Sequence, residues 1–251
     1  MICTPSTDYI PQLKLLWKEA FGDTEKFIDS FFDTAFSPKR CRILTKDDML
    51  GAMLFWFDCD LDGEKVAYLY AIATAKNMRG LGFCHQLMKS TQDELKTMGY
   101  STAILVPSDD GLFKFYGGMG YIPFGYLKTL SVNASADAVK IEKITISEYA
   151  NLRRKHLAKG AVIEEGVCLD FLSLQSSFYK GDDFVLAARI EGKKLVGIEL
   201  LGNYKSIEGI LKSLGCTHGE VRIQGGEKPF AMYLPLKESS EPEYFGLAFD
   251  I

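Results

Sequence analysis

The 251-residue chain holds only three histidines, His85, His156 and His218, well separated along the sequence. That is too sparse for a zinc site of the usual Cys/His type, and no metal is expected. Its six cysteines, at 3, 41, 59, 84, 168 and 216, form no CxxC and are too scattered for a disulfide framework. The opening MICTPSTDYIP has neither the basic nor the apolar region of a secretory signal. The longest apolar run, residues 49–57, falls far short of the roughly 20 residues a membrane helix needs. Charge of either sign is not in excess: 29 Lys and Arg stand against 33 Asp and Glu, a net charge of −4. Nothing electrostatic therefore recruits nucleic acid or an anionic membrane. These absences describe a reduced, soluble, cytoplasmic protein.

What is present is ordinary globular composition, 47% hydrophobic and 25% charged. The length has room for one large domain or two of common size. Ser6 or Thr7 is placed to cap a helix carrying Leu13, Leu16, Trp17 and Phe21 at helical spacing. Gly22 and Asp23 break it and start a second helix with a stripe of Phe27, Phe31 and Phe32. Strands follow at 41–45, 50–57 and 66–74, the last two joined by an Asp62-Gly63 hairpin turn. A Gly-rich segment at 77–82 leads into a helix ending at Gly99, then comes a strand at 102–106. Asp109 caps a further helix, and 121–130 reads as strand again. This order predicts a mixed α/β fold, more narrowly an α+β layer built on a mixed sheet.

Residues 131–137, SVNASAD, read as a linker. Beyond it the plan starts over: Ser147, Glu148 and Tyr149 open a helix, 169–179 reads as a second, and 184–190 with 195–201 as a strand pair. Val196-Gly197 falls where Leu50-Gly51 fell. The pattern suggests a worn repeat at an offset of about 140–146 residues, although α/β chains share such likeness in general. The expected domains are 1–133 and 134–251. The basic run Arg153, Arg154, Lys155 and His156 reads as a solvated helix face, and the last stretch, around 245–250, as a final strand.

The strongest local signal is the strand Ala71, Ile72, Ala73, Thr74, followed by the loop Ala75 to Met78 and then Arg79, Gly80, Leu81, Gly82, Phe83, Cys84 at the start of a helix. Glycines let a ligand approach the backbone, and free N–H groups at the positive end of a helix suit a pyrophosphate. It is not a Walker loop, and the third glycine of a dinucleotide fingerprint is missing. Taken alone, it could equally be a turn that binds nothing. One strand later comes Phe115, Tyr116, Gly117, Gly118, Met119, Gly120, Tyr121.

Together and in this order, the two segments resemble the [RQ]xxGx[GA] loop and the FYxxxGF motif of the Gcn5-related N-acetyltransferases, over roughly residues 1–130. The resemblance implies that fold, followed by a degenerate second copy, and an acetyl-CoA-dependent transfer of an acetyl group to an amine, with a small-molecule amine acceptor as partner. It places the pantetheine arm of the cosubstrate acetyl-CoA on the backbone of Ile72, Ala73 and Thr74, in a splay from Leu105-Val106. It places the pyrophosphate on the amides of Arg79, Gly80, Leu81, Gly82, Phe83 and Cys84. It makes Tyr116 the proton donor to the leaving thiolate; outside the motif that tyrosine would read as a core aromatic. A backbone N–H of the strand at 72–74 is placed to polarise the thioester.

Cys84 departs from the family's Gly or Ala, as a small packing residue or, with a pKa lowered at a helix N-terminus, as an acyl acceptor. Pro107-Ser108 stand where many relatives carry Asn. For the base, Asp58 and Asp60 are candidates, or simply a solvated hairpin. The apolar last residues, 244–251, are similar in layout to the enhanced-intracellular-survival acetyltransferases, which implies that the carboxylate of Ile251 serves as base or amine anchor. A non-catalytic acyl-CoA-binding or sensing protein is the alternative, and the acceptor is not readable.

Overall fold

The computed structural model describes residues 1–134 and 137–249. The chain divides into two compact units: residues 1–122 with 233–240, and residues 123–232 with 241–251.

In the first unit a short β1 (Ile2–Cys3) is followed by α1 (Ile10–Phe21) and α2 (Glu25–Thr34). Then come β2 (Cys41–Lys46), β3 (Met49–Leu61), β4 (Glu64–Thr74), α3 (Phe83–Thr97), β5 (Thr102–Leu105) and α4 (Asp110–Gly117). Strands β1 to β4 pair antiparallel in order, and β4 to β5 parallel. The next strand in the sheet after β5 is supplied from far along the sequence, by the stretch around Tyr233 that belongs to this unit. Backbone N–H of Leu236 donates to Ser101 O at 2.8 Å, just before β5.

The caps differ in part from expectation. Ser6 makes no side-chain cap; residues Thr7–Tyr9 form a 3-10 turn, and α1 starts at Ile10 with Pro11 in its first turn. Gly22 ends α1 in the left-handed region, as its missing Cβ permits. Thr24, not Asp23, caps α2 by accepting Phe27 N–H, because Asp23 is taken by the Trp17 indole at 2.8 Å. Asp109 caps α4 through Leu112 N–H. The helical stripe of α1 places Trp17 among Phe31, Phe55 and Tyr70, with ring centroids 4.7, 5.6 and 5.6 Å away. Trp17 is only 1% exposed, so this aromatic cluster fixes α1 and α2 on β3 and β4.

The second unit begins within β6 (Ile122–Asn133), so residues 123–133 belong to it. It continues with β7 (Glu142–Ile144), α5 (Ile146–His156), β8 (Val162–Ile163), α6 (Val167–Ser173) and β9 (Ser177–Lys180). It goes on with β10 (Phe184–Glu191), β11 (Lys194–Gly202), α7 (Ile207–Ser213) and β12 (His218–Pro235), whose last residues from Tyr233 belong to the first unit. Strands β9, β10 and β11 are antiparallel, and β11 runs parallel to β12. A meander followed by a parallel strand thus occurs in both units.

Four details correct the sequence reading. The helix expected at 169–179 stops at Ser173, because Leu172 O takes the N–H groups of Gln175 and Ser176, and Phe178 pairs as strand with Ala187. Gly197 lies on β11, the strand parallel to β12, a place held in the first unit by β4 and not by the strand carrying Gly51. The strands expected around 221 and 230–236 are one continuous β12. Residues 245–249 form no strand; Tyr244 makes a single bridge to Ala161.

Candidate active site

The site grows from β4. This strand pairs with β5 only from Val66 to Tyr68, and then runs on to Thr74 without it. Beyond Tyr68 its edge is not paired with β5, and backbone groups there need partners of another kind. On the other side, Phe55 faces Tyr70 and Met53 faces Ala73, so Ala71 and Ile72 stand opposite Leu54 alone. This is a β-bulge, and it turns the backbone at the point where the strands part. Ala71 adopts φ +48°, a left-handed conformation that a residue with a Cβ enters at a cost of about 1–3 kcal/mol. Nothing in an alanine announces this, and sequence reasoning passed over it.

The loop is built for close packing. Gly51 on β3 lies under it: a Cβ there would come 2.9 Å from the Phe83 ring and 3.1 Å from Met78 Sδ. Gly51 O also accepts Ala75 N–H at 2.9 Å. Arg79 Nε donates to Thr74 O at 3.2 Å, tying loop to strand. Gly80 and Gly82 sit at φ +76° and +75°, so both need glycine's freedom. Gly82 is the N-cap of α3 and makes no side-chain cap. The first N–H groups of α3 have no acceptor of their own within the helix. The structure thus brings Ile72, Ala73, Thr74, Arg79, Gly80, Leu81, Gly82, Phe83 and Cys84 into one continuous strand–loop–helix turn.

Tyr116, on the last turn of α4, is 6% exposed. Its ring lies 5.9 Å from that of Tyr121 and 5.2 Å from that of Phe115. Burial, and then the neighbouring Cys84 and Tyr121, push its pKa far above the ordinary phenol value. It is a neutral O–H donor throughout the working range of proteins, and among the described residues nothing hydrogen-bonds its hydroxyl. Tyr121, by contrast, accepts from Gln92 Nε2 at 3.1 Å.

The structure weighs against two of the readings left open by the sequence. Burial pushes the Cys84 thiol up to about 11, so the desolvation at this position outweighs the helix N-terminus and the residue is not an activated nucleophile. Asp58 and Asp60 are engaged elsewhere. Asp58 accepts the Tyr100 hydroxyl and pairs with Arg40 at 3.4 Å, while Asp60 Oδ1 accepts Gly63 N–H at 3.0 Å in the hairpin turn. Asp58 faces Ala67 across the sheet, four residues before the bulge, or about 13 Å along the strand. Ile251, with Asp250, lies outside the described residues. Among the described residues no group of three or more His, Cys, Asp or Glu is arranged to hold a metal, and no helix is long and apolar enough to cross a membrane.

Residues 2–124 match the acetyltransferase (GNAT) domain family. The amino-terminal half is a GNAT domain. Solved structures extend the likeness in fold over most of the chain. A GCN5-related N-acetyltransferase from Anabaena variabilis superposes with a TM-score of 0.74 at 12% identity, covering 94% of this chain and 73% of that one. Eis1 from Mycobacterium abscessus gives 0.68 at 10% identity, covering 94% and 74%. A putative acetyltransferase from Pyrococcus horikoshii gives 0.67 at 13%, covering 98% and 93%. No curated protein matches the sequence. The likeness to the GNAT fold therefore reaches past the residues that carry the two motifs.

Proposed function

We propose that this GNAT protein is an acetyl-CoA-dependent N-acetyltransferase that passes the acetyl group directly to the amine of a small-molecule acceptor in the cytoplasm. The observation that carries this reading is the conjunction on one strand: β4 parts from β5 after Tyr68, bulges at Ala71 and ends in the glycine loop that starts α3. The stretch of β4 past its pairing with β5, at Ile72, Ala73 and Thr74, suits the two amides of a pantetheine arm. The loop amides from Arg79 to Cys84, with the Arg79 charge, suit the pyrophosphate.

In the reaction the deprotonated amine attacks the thioester carbonyl, whose growing negative charge is stabilised by a backbone N–H near the bulge. The C–N bond forms, the C–S bond breaks, and Tyr116 gives its proton to the departing thiolate. The raised pKa of Tyr116 keeps that proton in place until it is needed. Ile251 is carried over from the resemblance as the second residue proposed as catalytic, as base or amine anchor. The second unit is read as a degenerate copy of the GNAT plan that lacks the glycine loop, with acceptor selection as its role.

The test is release of free CoA thiol over a panel of amines. Release with at least one amine is expected. Acetyl-CoA binding with no release on any amine would replace this reading with a non-catalytic acyl-CoA-binding protein. Loss of turnover on deleting Asp250 and Ile251, with CoA affinity kept, is the result expected for Ile251.

A further inference from the structure

Counting from the first residue of each helix, Leu13 and Trp17 of α1 correspond to Tyr149 and Arg153 of α5, at positions four and eight. Where the first unit buries an indole, the second buries a guanidinium. Arg153 is 1% exposed, so this member of the basic run is core and not solvated surface. Two carboxylates meet it. Glu199 on β11 accepts Arg153 Nε at 2.7 Å and Nη2 at 3.0 Å, and Glu164 accepts Nη2 at 2.7 Å. Glu164 and Glu199 are 0% and 1% exposed.

The cluster also grips the irregular segment at 243–249. Tyr244 Oη donates to Glu199 at 2.8 Å and Leu247 N–H to Glu164 at 3.1 Å. Gly246 lies so close that a Cβ would fall 2.1 Å from Glu199 Oε1. The backbone adds ties of its own: Val162 N–H to Tyr244 O at 2.9 Å, and the N–H groups of Glu243 and Tyr244 to Gly160 O at 2.8 and 3.4 Å.

The charges do not balance. One guanidinium faces two carboxylates, and each buried ion gives up its hydration and is unfavourable unless compensated. Glu199 is the better satisfied, with bonds from Arg153 Nε and Nη2 and from the hydroxyls of Tyr149 and Tyr244. Glu164 receives one from Arg153 and one from Leu247. The facing groups are thus Tyr149 and Arg153 from α5, Glu199 from β11 and Tyr244 from the segment itself. Glu165 is paired with Arg154 at 2.5 Å.

We propose that Glu164 is the protonation switch of a latch on residues 243–249: neutral, it leaves the buried cluster uncharged and the segment docked; ionised, it loads the core with an uncompensated negative charge and loosens the segment. The electrostatics point the same way. Burial, helped by the nearby Glu199, holds the Glu164 carboxyl above the usual carboxylate range, against the pull of Arg153 and of the Leu247 N–H. For Glu199, burial is outweighed by the charge and hydrogen bonds of Arg153 with those of the two tyrosines, and its carboxyl stays below that range. A carboxyl raised in the docked form binds its proton more tightly there. The contribution of this proton to docking is therefore full below the free carboxyl value and is lost once pH has risen through the docked value.

Hydrogen–deuterium exchange of the full chain tests this, with protection of the Leu247 amide corrected for intrinsic exchange. Protection falls about tenfold per pH unit above the ordinary carboxylate pKa of about 4.3, then levels off, and Glu164→Gln makes the profile flat. A flat wild-type profile, or an unchanged slope in Glu164→Gln, overturns the proposal. A carbon-13 titration of the Glu164 carboxyl in the wild-type chain gives a reading that needs no variant. A midpoint above about 4.3 is expected, and one at or below it contradicts the latch.

Discussion

Gly51 and Phe83, 32 positions apart in the sequence, are in contact where the glycine loop meets the sheet, and a Cβ on Gly51 would come 2.9 Å from the Phe83 ring. The start of α3 can lie on β3 only because position 51 has no side chain. Gly51→Ala forces the Phe83 ring and the adjoining loop to move, at a cost of about 1–3 kcal/mol for overpacking. The expected outcome is a lower Tm and a KM for acetyl-CoA raised about tenfold, with a smaller change in kcat. Steady-state kinetics with acetyl-CoA as the varied substrate check it.

Tyr116→Phe removes the proton donor and keeps the ring. A positioned general acid contributes about 10²–10⁴ in rate, so kcat falls by that factor while acetyl-CoA affinity holds. The raised pKa sets the pH dependence. The acid is competent only while protonated, so its ionisation limits activity only above the ordinary phenol value of about 10. The wild-type profile of kcat shows no alkaline loss due to Tyr116 below that pH.

With its thiol raised to about 11, Cys84 is roughly one part in ten thousand thiolate at neutral pH. Cys84→Ala should keep kcat within about twofold, and mass spectrometry of the wild type after incubation with acetyl-CoA should find no acetylated cysteine in the chain. A large loss of kcat in the variant would return Cys84 to the mechanism.

Asp58 is bound to Tyr100 and Arg40 and stands about 13 Å along the strand from the bulge. Asp58→Asn is therefore a stability variant. It lowers Tm and leaves the acidic limb of the pH–rate profile where it was. A shift of that limb would identify Asp58 as the base after all.

Much of the first unit was legible because local signals and global fold agree there. Helical spacing found Trp17, the Asp62-Gly63 pair found its hairpin turn, and Asp109 found its cap. The two glycine-bearing motifs, by their residues and their order, gave the resemblance to the family. The bulge was not legible, because Ala71 is held at positive φ by the pairing around it and not by its own preference. Arg153 was misread for a related reason. A basic residue in a basic run is solvated by default, and only Glu164 and Glu199, brought from two other elements, make its burial tolerable. The irregular residues 245–249 are apolar enough to read as strand, yet side chains rather than a neighbouring strand hold them.

The most direct test of the account is a single turnover with acetyl-CoA carrying a labelled acetyl group, mixed with excess protein and an amine that supports thiol release. The label should pass from CoA to the acceptor as an amide in one phase, with none on the protein at any time, and Tyr116→Phe should slow that phase by about 10²–10⁴. Label that accumulates on the protein, or that leaves CoA at the same rate in Tyr116→Phe, would contradict it.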